Sequence, residues 1–411
     1  MLFQLSYSRV WSPQVYVCFP SFRVAEMLGT TSRARSVAAG LVAIVVATAC
    51  GGEAVRFEAQ PTPTTAPTAA PTATPAPTPS PTPAPQATAD IAAACTGCWP
   101  LNGKPLGDGS LTKRPLVVKI DNAPAARPYY GISQADMVFE ELVEGFVTRL
   151  VAIYQSQDPQ TIGSVRSARL ADRSLTTMVR GALVYSGTSD YAWSLINQDA
   201  ANGRYVELSA DHSGGYYRVA FRQAPYNMFT SASAQRDSLA KLNAATVNEV
   251  PKWSFLATAD HPATIAGMTG ATAATDLVIP YREDSSTVSY KYDGTTKTYA
   301  RWQNSAGKAV RGVDAANNVA IAAANVVIIQ TEIWEVPEIT DAAGARAHDM
   351  RLTGTGAATI FRDGLRQEGT WSRKDDASAF VFTNRQGEQI KLNAGQTWVH
   401  IIPNDWAVTS N

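Results

Sequence analysis

The stretch VRSAR, Val165 to Arg169, sets two guanidinium groups three positions apart. Arg127 and Arg149 precede it, and residues 113–255 hold eleven arginines against four lysines. That bias carries chemistry, because arginine's planar fork pairs with two oxygens of a carboxylate or phosphate and stays charged when partly buried. If residues 166–180 are helical, Arg166, Arg169 and Arg173 share one face at spacings of three and four. They would then stand near a helix amino terminus, where unpaired backbone amides add to an anion site.

Acids accompany them. Asp121, Asp136, Glu140 and Glu144 stand in the same region, and Glu140, Leu142 and Glu144 would line one side of a strand if this segment is a hairpin. Paired carboxylates can hold a divalent metal or run acid/base chemistry on a sugar, and they can equally neutralise the arginines as an internal ion-pair network. Ser167 has no evident histidine and acid to activate it, and His212, before Gly214-Gly215, reads as a loop residue. Trp371, Trp398 and Trp406 can be an aromatic patch for sugar rings, although core packing is the commoner use of tryptophan.

The elements that must position these residues are α+β in character. PLVVKIDN is a buried strand, and ADMVFEELVEGFVTRLVAIYQ reads as two strands around Glu144-Gly145. VRSARLADRSLTTMVRGALVYSG predicts a helix and then a strand at 182–186, and SDYAWSLINQ a second helix behind a Ser or Asp cap. Alternation of this kind predicts a layered α/β domain over 95–255. Residues 256–276 are rich in Ala, Thr and Gly and form a boundary. Beyond it, turns at Asp293-Gly294, Asp363-Gly364 and Gln386-Gly387 between alternating runs predict a mainly antiparallel β domain over 277–405.

The amino-terminal part points outside the cytoplasm. Residues 36–49 are a 14-residue apolar run behind Arg33 and Arg35, too short for a comfortable span and suited to a signal-peptide core. Met27 opens a more conventional leader than Met1 does, so residues 1–49 are read as a signal region starting in truth at Met27. The run ends in ATAC followed by Gly51-Gly52, which resembles a lipoprotein lipobox with Cys50 as the lipid-bearing residue. Residues 50–94 then form an anchor and linker. Ten of the chain's 24 prolines fall in 61–85, which denies that tract a helix or central strand. As extended chain at roughly 3.1 Å per residue it reaches about 80 Å from a surface. Cys95 and Cys98 make one Cys-x-x-Cys pair without the further ligands a zinc site needs, and an oxidising compartment favours a disulfide. With 35 basic and 35 acidic residues the chain has no basic field for nucleic acid.

IDNAPAARPYYGISQADMVFEELVEGFVTRLVAIYQS, IGSVRSARLAD, RQAPYNMFTS, NVVIIQ, RDGLRQEGTW and LNAGQTWVHIIP, in this order, resemble the YerB-like bacterial lipoproteins, a two-part domain family of unknown function. The likeness runs from about Trp99 to Pro403. It implies an envelope lipoprotein on the outer face of the cytoplasmic membrane and brings Asn227 into the candidate set. Two places depart from the family pattern: Pro225-Tyr226-Asn227 stands for Pro-His-Asn, and Gly163-Ser164-Val165-Arg166 for Gly-Pro-Val-Arg, so no role for a histidine passes to Tyr226. The reading that results is a tethered module that binds an anionic cell-wall or glycan component through Arg127, Arg149, Arg166, Arg169 and Asn227. No cofactor is expected for it. One alternative is a hydrolase or phosphotransferase on wall polymers, loosely similar to the LytR-CpsA-Psr ligases, with Asp121 or Asp136 holding a divalent metal. Another is a scaffold for a second envelope protein.

Overall fold

The structure is a computed structural model and describes residues 97–256, 270–341 and 343–411. The signal region, Cys50, the proline tract, Cys95 and His261 lie outside the described residues. Ten strands of the main sheet are numbered along the chain: β1 (Leu116–Asp121), β2 (Met137–Leu142), β3 (Thr148–Tyr154), β4 (Ala182–Tyr185), β5 (Val206–Ser209), β6 (Asn325–Thr331), β7 (Gly354–Arg362), β8 (Leu365–Arg373), β9 (Val381–Asn384) and β10 (Thr397–Pro403). Their order across the sheet is β9-β8-β7-β6-β10-β2-β3-β1-β4-β5, and Thr272–Ala273 adds an eleventh strand against β8.

β1, β2 and β3 are buried at every position, which explains their nearly continuous apolar runs. One face of the sheet carries Val118, Ile120, Val138 and Leu150 and packs on a second, antiparallel sheet through Leu277, Val288, Tyr290 and Tyr299. The other face carries Val117, Phe139, Val151 and Leu183 and is covered by helices and by Trp253, Phe255 and Phe380. β10, near the end of the chain, pairs in parallel with both β6 and β2, so Val399 lies between Val327 and Phe139. One sheet therefore spans both sides of the 256–276 boundary.

Among the described residues the α-helices are few: α1 (Leu170–Met178), α2 (Asp190–Ala201) and α3 (Ala232–Lys241). β4, α2 and β5 make a parallel crossover unit. The α/β layering is thus local to this region, and the molecule is dominated by sheet. The expected hairpins at Asp293-Gly294 and Asp363-Gly364 form. In the second, Arg362 pairs with Leu365 and the two turn residues have φ of 56° and 72°, the geometry of a tight primed turn. The segment after β8 also turns back at Gln386-Gly387, where Asn384 and Glu388 bond.

The first helix differs from its expected start. Residues 164–168 are extended because their amides find partners in the sheet: Arg166 N donates to Lys119 O, and Ser186 N donates to Arg166 O. The helix begins only at Leu170, where Asp172 Oδ2 accepts the Arg169 amide at 2.6 Å. Arg166, Arg169 and Arg173 consequently do not share a helical face.

Candidate functional site

β1 and β4 pair in parallel through Val118 and Val184 and then part. The VRSAR segment fills the gap at their carboxyl ends, with Val165 bridged to Ile120 and Ala168 N donating to Gly187 O. Carboxyl ends of parallel strands are where open sheets with crossover helices commonly hold ligands. On the same sheet face, Arg149 of β3 stands directly across from Asp121 on one side and Glu141 on the other.

Three guanidinium groups converge here with two carboxylates. Arg166 Nε donates to Asp121 Oδ2 at 2.7 Å. Arg169 grips Glu144, with Nη2 donating to Oε2 at 2.6 Å and Nε 2.6 Å from Oε1. Burial alone would raise the Glu144 carboxyl, but the Arg169 hydrogen bond and charge, and then Arg149, hold it below its ordinary value. Arg149 is only 8% exposed and has no ion-pair partner among the described residues; Nη1 donates to the Ser167 carbonyl at 2.9 Å. Burial, and next the neighbouring Arg169 charge, lower it to about 10 against the pull of Asp121 and Glu144. Within this cluster Arg149 is the cation that contacts no carboxylate directly, and a buried charge without a direct partner is costly.

Beneath it lies a group with no local signature in the sequence. Lys119 Nζ lies 2.9 Å from Asp172 and also pairs with Glu141, all three side chains fully buried. Burial pushes Glu141 up to about 7 despite Lys119, and its Oε2 has no hydrogen-bond partner. A second unmatched arginine, Arg222, flanks Asp121 from the loop before β-residues 228–230. Its Nη1 donates to Ala126 O at 2.8 Å and to Ser164 Oγ at 2.7 Å, and Nη2 donates to Pro128 O. Arg222 opens the RQAPYNMFTS motif, which was the available signal. Tyr226, from the same loop, lies with its ring 5.7 Å from the Arg166 guanidinium.

Other candidates are placed elsewhere. Arg127 is saturated by main-chain carbonyls of Asn122, Asn304 and Ser285 and ties the two sheets together. Asn227 accepts from Arg218 at 2.7 Å at the surface. Asp136 is enclosed by Asn102, Gln155 and Ser156 donors, and burial raises it. Glu140 and Leu142 do share a face, but it is the opposite one: Glu140 pairs with fully buried Arg301 at 2.9 Å and accepts from Asn122 and Thr148. Glu144 is in the turn after β2, so it does not continue that face. Asp121 and Asp136 are thus engaged separately, and among the described residues no three His, Cys, Asp or Glu side chains gather around either.

The tryptophans are not a surface patch. Trp371 and Trp398 are fully buried in the cores of opposite sheet faces, and Trp406 packs on Tyr281. Arg173 turns to Asp199 at 2.6 Å. His212 is an exposed loop residue near Trp193, and Ser167 contributes its carbonyl to Arg149. Cys98 is disulfide-bonded. A wide cleft of about 840 Å³ lies at the opposite, amino-terminal ends of β1 and β4, lined by Arg114, Arg180 and Arg204. Its arginines are already engaged: Arg114 by the carbonyls of Ala244, Arg180 and Thr246, and Arg204 by Asp199 and Asp376.

Comparison with known proteins covers both sides of the 256–276 boundary. Residues 101–246 match the N-terminal domain, and residues 277–399 the C-terminal domain, of the family described as protein of unknown function (DUF3048). A curated relative, "Putative lipoprotein YerB" of Bacillus subtilis (strain 168), is 28% identical over 307 residues, covering 74% of this chain and 86% of that protein. The crystal structure of the YerB protein from Bacillus subtilis superposes with a TM-score of 0.63 at 26% identity, over 76% of this chain and 99% of that one. With both domains matched in order over well more than half of the sequence, the chain belongs to the two-part, YerB-like DUF3048 family.

Proposed function

We propose that the protein is an envelope-tethered binding module whose Arg149, Arg166 and Arg169 take up a carboxylate or phosphate group of a cell-wall or glycan component. The observation that carries this is Arg149, a nearly buried guanidinium with one hydrogen bond, no carboxylate partner and two further arginines beside it. An incoming anion would supply the missing countercharge, and charge-assisted pairing of this kind is the strong form of hydrogen bonding. The tether reading rests on the lipoprotein name of the Bacillus relative together with ATAC at 47–50 and the proline tract behind it. Together these favour the outer face of the cytoplasmic membrane, where such polymers are abundant.

The test is equilibrium binding of the full chain to phosphate-bearing and carboxylate-bearing wall polymers, beside Arg149→Met and Arg166→Ala. Binding should weaken about tenfold or more in each variant and fall with added salt. Equal affinity in all three proteins would defeat the proposal.

A further inference from the structure

The loop that brings Arg222 to Ser164 also builds an aromatic shelf. Phe221 is 62% exposed and Tyr217 44% exposed, and both lean on buried Phe229, at ring distances of 5.8 and 6.3 Å. Tyr130 closes the group, 5.7 Å from Phe221 and 5.2 Å from Phe229. Phe229 in turn sits on the backbone of Gly163, where a Cβ would come within 2.5 Å of its ring. Only glycine permits that approach, so the shelf is locked to the residue just before Ser164-Val165-Arg166.

Arg222 is set into this shelf, its guanidinium 5.2 Å from the Tyr130 ring centre, 5.5 Å from Phe229 and 5.9 Å from Phe221. It has no carboxylate partner, and burial lowers its pKa. Two residues of extended chain, about 7 Å, separate Ser164 from Arg166. Arg222 bonds Ser164 Oγ and lies in the field of the Asp121 carboxylate that Arg166 grips, so the shelf adjoins the arginine cluster.

We infer that the ligand's anionic group is carried on a saccharide, whose ring stacks on Phe221 and Tyr217 while a hydroxyl or second acidic group meets Arg222. This rests on the anion-binding reading above and narrows it to acidic sugars. The chemistry favours such a ligand over hydrocarbon, since covering a fixed guanidinium with an acyl chain leaves a desolvated charge. Two exposed rings are also far smaller than the area a stable protein interface needs. A sugar offers C–H faces to the rings and oxygens to the cation, matching the mixed character of the shelf.

The test uses the full chain with three probes: short oligosaccharides bearing uronate or phosphomonoester groups, the same oligosaccharides without them, and inorganic phosphate. Proteins compared are wild type, the double variant Phe221→Ala with Tyr217→Ala, and Arg149→Met. Wild type should bind the acidic oligosaccharides about tenfold or more tighter than phosphate, and the double variant should lose that margin while keeping its phosphate affinity. Arg149→Met should lose both. Equal affinities for acidic saccharide and phosphate, or a double variant that binds saccharide as wild type does, would overturn the saccharide inference and leave the anion site standing. Failure of wild type to bind phosphate and acidic saccharide alike would remove the anion site itself, and the inference with it.

Discussion

Replacing Arg149 by methionine separates a ligand role from a structural one, because the two predict opposite changes in stability. Burial lowers this guanidinium to about 10, which corresponds to about 3 kcal/mol spent on keeping it charged in the fold. For a base with a lowered folded pKa the cost is present in full below about 10 and is relieved only as pH rises past that value, so it is undiminished at pH 7. Methionine removes the charge, keeps much of the apolar stem and gives up the hydrogen bond to Ser167 O, a loss of about 1–2 kcal/mol. The expected balance is a gain of about 1–2 kcal/mol in urea unfolding at pH 7. An anion at a hundred times its Kd should stabilise wild type by about 2.7 kcal/mol and leave the variant unmoved. If Arg149→Met instead costs more than about 1 kcal/mol, Arg149 is part of the architecture and not an anion-binding group.

Other substitutions follow from the same geometry. The Glu141 carboxyl is raised from 4.5 to about 7, so the folded state holds its proton longer than the unfolded chain and stability falls as pH rises through that window. Glu141→Gln should flatten this slope and be the more stable protein at pH 8, as read by unfolding at pH 5 and pH 8; a slope equal to wild type would contradict the assignment. Arg127→Ala removes the bonds between the two sheets and should cost about 2–4 kcal/mol without changing phosphate affinity; weakened binding in a folded variant would restore Arg127 to the site. Ser189 accepts the Ala192 amide at the start of α2, and Ser189→Ala should lower stability by about 1 kcal/mol, with an unchanged midpoint counting against the cap.

Local physics made much of the fold legible in the sequence. β1 to β3 announce themselves as apolar runs because both of their faces are buried, and Asp363-Gly364 reads as a hairpin because two successive left-handed residues are needed there. The misplaced helix start has a non-local cause: Arg166 and Ala168 are held extended by β1 and by the residues after β4, which no helical spacing can reveal. The candidate acids were divided by distance in the same way. Glu140 finds Arg301, 161 positions along the chain, so its role was set by a strand of the second half packing on the first. Likewise the union of the two halves depends on β10 entering between β2 and β6, a parallel pairing with no local signature. Arg149, Arg166 and Arg169 were identifiable by residue type; that Arg149 would lack a carboxylate required the register Asp121-Arg149-Glu141 and the pairings that use up both acids.

Whether the arginine cluster binds an anion is read directly from a crystal of the full chain soaked in a heavy oxyanion such as tungstate. An anomalous peak is expected within hydrogen-bonding distance of the Arg149 and Arg166 guanidinium groups, lost in Arg149→Met. A peak absent from that cluster in wild type at saturating anion, or retained unchanged in the variant, would contradict it.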